Sequence, residues 1–393
     1  MDVRAIVLIG GAAGDGPGVA ENIAGIPLAY LDVLGVSVIE RVQRRLQRFG
    51  VSCTTIISDS PCDGGPFAHA VPSLPSLPHV HAETEQFWQA AEETFLKYAE
   101  DGADLVLALR VGPYVEADYE ALIQHHLDHR CAVTMAVDGE FQSLGLFVLS
   151  ASARNDAAAL FKNRMTRMRR DCAPFFVKGY CNRLRSSADL RKLALDGLLA
   201  RNEIRPQGTE LKPGVWVGAA ARIHRKARVI APAFIGAHAK VRASVLITRG
   251  TVLEHHAEVD CGTVVENSSL LPFARVGAGL DVMHSVVGFR RLAHLRQNVE
   301  VEISDEKFVG MVPLTAVSRL AGSTAALFAF LPMQIYRGLF ASSQRNSAAK
   351  IPECPEDATG AALKASVLEV PATGAESSEF PSNLAVARRY GDE

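Results

Sequence analysis

Residues 215–271 read VWVGAAARIHRKARVIAPAFIGAHAKVRASVLITRGTVLEHHAEVDCGTVVENSSLL. Stepping in sixes from Val217 meets Ile223, Val229, Ile235, Val241, Ile247, Leu253, Val259, Val265 and Leu271, a branched aliphatic every time. Two residues before each stands Val215, Ala221, Ala227, Ala233, Ala239, Val245, Thr251, Ala257, Thr263 or Ser269, nearly all small. A helix repeats every 3.6 residues and a flat strand every 2, so neither holds a period of six over this length. A three-faced coil does. Each hexapeptide makes one short strand and one corner, the aliphatic fills the interior, and the small residue fits beside the corner. The count predicts about five stacked coils over 214–302, with a one-residue slip near Val276 and irregular rungs continuing to about Val301. The period leaves handedness open.

Upstream, the pattern changes to α/β. Val3–Ile9 is a short apolar run closed by Gly10-Gly11, as expected of a buried strand. Ser37 and Glu40 form a capping box, Val38, Ile39, Val42, Leu46 and Phe49 make one apolar stripe, and Gly50 supplies a stop, so a helix is predicted over 37–49. Further strands are expected at 51–57, 104–109, 131–137 and 144–149, and helices at 83–98 and 117–129. This alternation predicts one doubly wound, Rossmann-like α/β domain over 1–150. Residues 151–213 read as a helical basic connector carrying Lys162, Arg164, Arg167, Arg169 and Arg170, either a solvated face or a phosphate-binding or subunit-docking face.

Beyond the repeat, 303–345 is expected to hold an apolar helix. Its 320–336 stretch lacks charge and is flanked by Arg319 and Arg337. Pro332 interrupts it and its length is marginal for a span, so packing on the coil or docking to a membrane surface or partner is expected. Residues 346–393, rich in Ala, Ser, Glu and Pro, read as a disordered acidic tail.

A net charge of −2 gives no bulk attraction to nucleic acid. Seven scattered cysteines without a CxxC pair fit free thiols in a cytoplasmic protein. The N-terminal apolar run is too short for a signal peptide.

The chemistry centres on the loop Gly10-Gly11-Ala12-Ala13-Gly14-Asp15-Gly16-Pro17-Gly18. Glycines after a first buried strand let backbone N–H groups approach phosphate oxygens. The loop matches neither GxxxxGK[ST] nor a dinucleotide fingerprint, and a tight turn at the sheet edge explains it equally. Gly10, Gly11, Gly14, Asp15 and Gly16 are the candidate nucleotide-binding residues. His125 and His129, at i and i+4 with His126 between, offer two imidazoles and no third metal ligand. His255 and His256 at a coil corner bring acyl transfer into view, where a corner histidine acts as base.

A glycine-loop α/β domain followed by hexapeptide coils resembles the sugar-phosphate nucleotidyltransferases, such as mannose-1-phosphate guanylyltransferase. The likeness covers about residues 1–302 and is carried by Val3–Gly11, by Leu31-Asp32-Val33-Leu34-Gly35 before the helix, and by the distal rungs 257–288. It implies a left-handed parallel β-helix after the α/β domain, nucleotide and sugar phosphate as partners, Mg²⁺ as cofactor, and formation of an NDP-sugar with release of pyrophosphate. Flat coil faces further imply a homo-oligomer.

The family signature is altered at three points. Its Gly-Thr-Arg triplet falls on Ala13-Gly14-Asp15 or Gly14-Asp15-Gly16, without the arginine. Its lysine before the second element falls in Gly25-Ile26-Pro27-Leu28-Ala29. Its metal-binding Gly-Asp pair falls on Val111-Gly112, with Asp118 further on in the next helix. Asp15 is one candidate metal ligand, and Arg110, at the end of a predicted strand, could replace a missing cation. A non-catalytic regulatory or scaffolding relative is therefore weighed beside an active transferase.

Overall fold

The computed structural model describes residues 1–11, 22–24, 26–51, 53–59, 78–83, 86–165 and 172–312. Gly14, Asp15, Gly16, the segment 320–336 and the tail 346–393 lie outside the described residues.

Seven strands form one sheet in the order Cys172–Phe176, Val133–Val137, Ser143–Ser150, Leu105–Arg110, Val3–Ile9, Cys53–Ser58, His79–His81. Val3–Ile9 lies in its interior, next to the central Leu105–Arg110 and parallel to both neighbours. Its side chains alternate. Val3, Ala5 and Val7 enter one core with helices α1 (Val38–Phe49) and α3 (Tyr119–His129). Ile6 and Leu8 enter a second core with α2 (Phe87–Glu100) and α4 (Arg154–Lys162). Burial on both faces explains the unbroken apolar run.

Helix α1 follows its sequence signals. The Ser37 hydroxyl accepts the Glu40 N–H, and Gly50 ends the helix at φ +86°. Leu46 is fully buried, and the predicted stripe faces the sheet.

Two features depart from a doubly wound 1–150 domain. Ser143–Ser150 is antiparallel to both its neighbours, which makes the sheet mixed. The cause is local: Asp138 accepts the Glu140 and Gln142 N–H groups, each at 2.9 Å, and turns the chain straight back. A connection that short joins only antiparallel neighbours. The layer also extends past residue 150, because Cys172–Phe176 adds a parallel strand beside Val133–Val137. Helix α5 (Ser187–Leu198) then buries Leu190, Leu193 and Ala194 in the core that also takes Phe234, Val252 and Val286. Arg191 of α5, itself buried, donates to Gly250 O at 2.6 Å and Asn267 Oδ1 at 2.9 Å. Residues 151–213 are thus built into the fold, with Lys162 paired to Glu92. Arg167, Arg169 and Arg170 fall outside the described residues.

From Val215 the chain makes three parallel ladders that recur in rotation. Val217 lies beside Ile235 and Ile235 beside Leu253, each step 18 residues or three hexapeptides. Ile235, Val241, Ile247, Leu253, Val259 and Val265 share one core with Ala233, Ala239 and Ala257, as the period predicts. The slip comes earlier than Val276. Leu253 pairs with Leu270, and Val265 with Val282, steps of 17. Leu270 therefore fills the coil interior, while Leu271 points the other way into the α/β core. Past Val287 the rungs give way to an antiparallel cap, Arg291–His294 and Val299–Glu302. Val309–Met311 returns antiparallel to Ala274–Val276, so the first residues of 303–345 form a strand where a helix was expected.

No helix among the described residues is long and apolar enough to cross a membrane. Cys53, Cys131, Cys172 and Cys181 are free thiols.

Candidate functional site: an arginine-lined cleft at the carboxyl end of the sheet

Helix α1 shows two faces. Beside its apolar stripe, Arg41, Arg44, Arg45 and Arg48 recur at i, i+3, i+4 and i+7, spacings that place them along one side. That side borders a cleft of about 430 Å³. Arg110 and Val111-Gly112, at the carboxyl end of Leu105–Arg110, form another wall, Leu144–Leu146 a third, and Glu203–Gln207 the rim. Tyr114 and Tyr119 add aromatic surface. In open α/β sheets ligands collect outside the carboxyl ends of strands, where this cleft lies.

Five arginine side chains (Arg41, Arg44, Arg45, Arg48 and Arg205) and a single acid, Glu203, stand along the lining, while Arg110 borders it and turns its guanidinium toward Gly11 and Trp88. Glu203 takes Arg45 at 2.8 Å, and Glu40 takes Arg44. Arg45 also donates to Val115 O and stacks 5.6 Å from the Tyr114 ring. Arg41 is held by Val33 O, and burial lowers its pKa from the usual guanidinium value. Burial likewise raises the Tyr114 phenol and pushes Tyr119 up to about 12, so both rings stay neutral and act through their faces. The lining thus carries more cationic than anionic side chains.

The glycine turn adjoins this cleft through Arg110. Its Nη2 donates to Gly11 O at 2.9 Å, and its guanidinium lies 5.9 Å from the Trp88 ring. Gly10 and Gly11 have φ of +97° and +70°. Gly11 N–H donates to Asp59 Oδ2 at 2.7 Å, and a Cβ on Gly10 would fall 1.9 Å from Asp59 Oδ1. Asp59 takes the Gly11 amide, and its charge opposes an anion at that point of the expected phosphate cradle. Asp118 caps α3 by accepting the Ala121 N–H at 3.1 Å, which settles its place on that helix.

Mg²⁺, implied by the family likeness, requires several hard oxygen ligands. The described cleft residues do not fit it. Their one carboxylate is bound to Arg45, Glu116 beside the rim takes the Tyr114 hydroxyl and the Glu203 N–H, and the surrounding arginines oppose a divalent cation. Among the described residues no group of three or more His, Cys, Asp or Glu could hold a metal.

The histidine candidates are otherwise engaged. His125 and His129 stack at 4.0 Å at the end of α3. His126 is buried between Thr134 and Ser150, each at 2.8 Å. His255 is not at an open corner: its Nδ1–H donates to Asp32, across the boundary between coil and α/β layer. Beside it Glu254, 2% exposed, accepts Leu34 N–H at 2.7 Å and Gly35 N–H at 2.8 Å. Burial, reinforced by Asp32, pushes Glu254 up to about 8 despite those two amides. Burial pulls His255 down, but the hydrogen bond and charge of Asp32, with Glu254 behind it, more than offset this and raise it. His256 stacks between His238 at 4.8 Å and Phe273 at 4.9 Å, and burial lowers it to about 4. A stacked imidazole so depressed is a weak base, which disfavours acyl transfer.

Compared with protein-family models and with curated proteins, the chain matches none.

Proposed function

We propose that this protein binds a phosphorylated small molecule, a nucleotide or sugar phosphate, in the arginine cleft, as a non-catalytic relative of the sugar-phosphate nucleotidyltransferases. On this reading the α/β layer is their Rossmann-like domain and the three ladders are a left-handed parallel β-helix. The observation that carries it is the arginine face of α1 opening, with Arg110, at the carboxyl end of the sheet. Guanidinium groups match phosphate oxygens in pairs, and a half-enclosed cleft strengthens each contact. The volume suits a ligand of that size.

Binding is favoured over turnover by the carboxylates. Nucleotidyl transfer depends on a metal held by acids beside the phosphates. Here Asp59 and Glu203 already serve Gly11 and Arg45. A single observation favours the active transferase instead: Arg110 touches the glycine turn and could supply a missing cation.

Thermal stabilisation by a panel of NTPs, NDP-sugars and sugar 1-phosphates tests binding. Ligand at a hundred times Kd adds about 2.7 kcal/mol of stability. Pyrophosphate release from the same panel tests transfer. Stabilisation without release is expected, release would establish a transferase, and neither would remove the cleft from the account.

A further inference from the structure

Arg41 faces two ways. It lines the cleft, and it also donates to Val33 O within the turn between strands Asp32–Val33 and Val36–Ser37. The same turn is fastened from the coil. Glu254 takes the Leu34 and Gly35 amides, and His255 takes the Asp32 carboxylate. One short hairpin thus joins the cleft wall to a buried cluster of two carboxylates and an imidazole.

Glu254 meets Asp32 from the hairpin, His255 from its own corner, and Arg41 from α1. Arg44 stands behind Arg41, and Tyr114 faces it from the opposite wall. Beyond His255 lie His256, His238 and Lys240, and Lys240 is paired with Glu258. Arg41 thus touches both sides of the hairpin: it lines the cleft, it holds Val33 O, and the charges of Glu254 and Asp32 act on it at a distance.

We propose that the cleft and the Asp32–Glu254–His255 cluster are coupled through this hairpin, so that a phosphate-bearing anion binds together with a proton. The proposal rests on the reading of the cleft as a phosphate site. Its basis is competition for Arg41. Ionised Glu254 and Asp32 draw on the Arg41 field, and protonating the cluster releases that field to the ligand. Coupling of this kind is reciprocal, so bound anion also draws a proton into the cluster. The raised titration of Glu254 brings the exchange to neutral and mildly alkaline pH.

Calorimetry with the full chain and mannose 1-phosphate tests this. A phosphate monoester, with a second pKa near 6, keeps a constant charge above about pH 7.5. At about pH 8, titrations in two buffers of different ionisation enthalpy should show net proton uptake on binding. Affinity should fall roughly three- to tenfold between about pH 7.5 and 9, on the scale of one added unit charge acting through a partly screened path. Glu254→Gln should bind with nearly constant affinity across that window. Binding without proton uptake or pH dependence overturns the coupling and leaves the cleft standing, as does an unchanged pH dependence in Glu254→Gln. If that variant does not fold, proton uptake by the unaltered protein decides alone. Absence of binding at every pH, by mannose 1-phosphate and by the NTPs, NDP-sugars and other sugar 1-phosphates, overturns the cleft reading and the coupling with it.

Discussion

The Arg110 guanidinium donates to the carbonyl of Gly11 at 2.9 Å, 99 positions away in sequence. That contact ties the glycine turn after the first strand to the arginine cleft. The side chain also stacks over Trp88, so both its charge and its planar shape are in use. Arg110→Ala should cost about 1–2 kcal/mol of stability, the scale of a charged hydrogen bond, and weaken phosphate binding at least tenfold. Arg110→Lys should recover little, because an ammonium cannot reproduce the planar stack and fork. Urea denaturation and calorimetry on the two variants check this.

Gly11→Val is the obvious probe of the glycine loop, but it will report on folding. The residue has φ +70°, and a Cβ there would meet the Phe87 ring at 2.5 Å. A stability loss of about 2 kcal/mol or more is expected, ligand present or not. A normally stable Gly11→Val protein with selectively lost binding would restore the loop as the phosphate site.

The buried cluster predicts how stability depends on pH. Glu254 rises from an unperturbed 4.5 to about 8, and His255 is also raised. The folded state then holds these protons more tightly than the unfolded chain. Their contribution is complete below the unfolded values and is lost as pH rises through the folded ones. The Glu254 contribution should therefore fade between about pH 4.5 and 8, and Glu254→Gln should remove that part of the pH dependence of the melting temperature. Glu254→Ala should cost about 2–4 kcal/mol, since two buried amides lose their acceptor.

His126 predicts the opposite limb. Burial lowers it from 6.5 to about 4, with both ring nitrogens committed to Thr134 and Ser150. A base depressed on folding destabilises as pH falls, because the unfolded chain takes up the proton first. Stability should drop between about pH 6.5 and 4, and His126→Gln should remove part of that slope. A slope unchanged in the variant would assign acid sensitivity to other groups.

Legibility varied with how local the cause was. Helix α1 was readable to the residue, because Ser37, Glu40 and Gly50 act within one turn of where they stand. The ladders were readable because six-residue periodicity repeats the same steric demand at each rung. The slip was misplaced because Leu270 and Leu271 are both apolar, and only the three-dimensional step of 17 decides which faces inward. The antiparallel strand Ser143–Ser150 was hidden in a helix–strand alternation, although Asp138-Gly139 is itself a turn signal. For the site, Gly10 and Gly11 drew attention while the partner that occupies them, Asp59, stands 48 residues from Gly11. The arginine stripe at 41, 44, 45 and 48 was visible as a helical spacing, and the apolar stripe of the same helix overshadowed it. The contacts of Glu254 with Leu34 and Gly35 had no sequence signal, since they join segments some 220 residues apart.

The cleft itself is tested most directly by charge reversal on the exposed end of the α1 stripe. Arg44→Glu and Arg48→Glu leave the apolar face of the helix intact, so stability should change by no more than about 1 kcal/mol. Calorimetric titration of the double variant with the nucleotide or sugar phosphate that best stabilises the unaltered protein is the decisive measurement. The account predicts a loss of at least tenfold in affinity and a weaker salt dependence of the residual binding. Affinity and salt dependence equal to those of the unaltered protein would contradict it and place the ligand elsewhere.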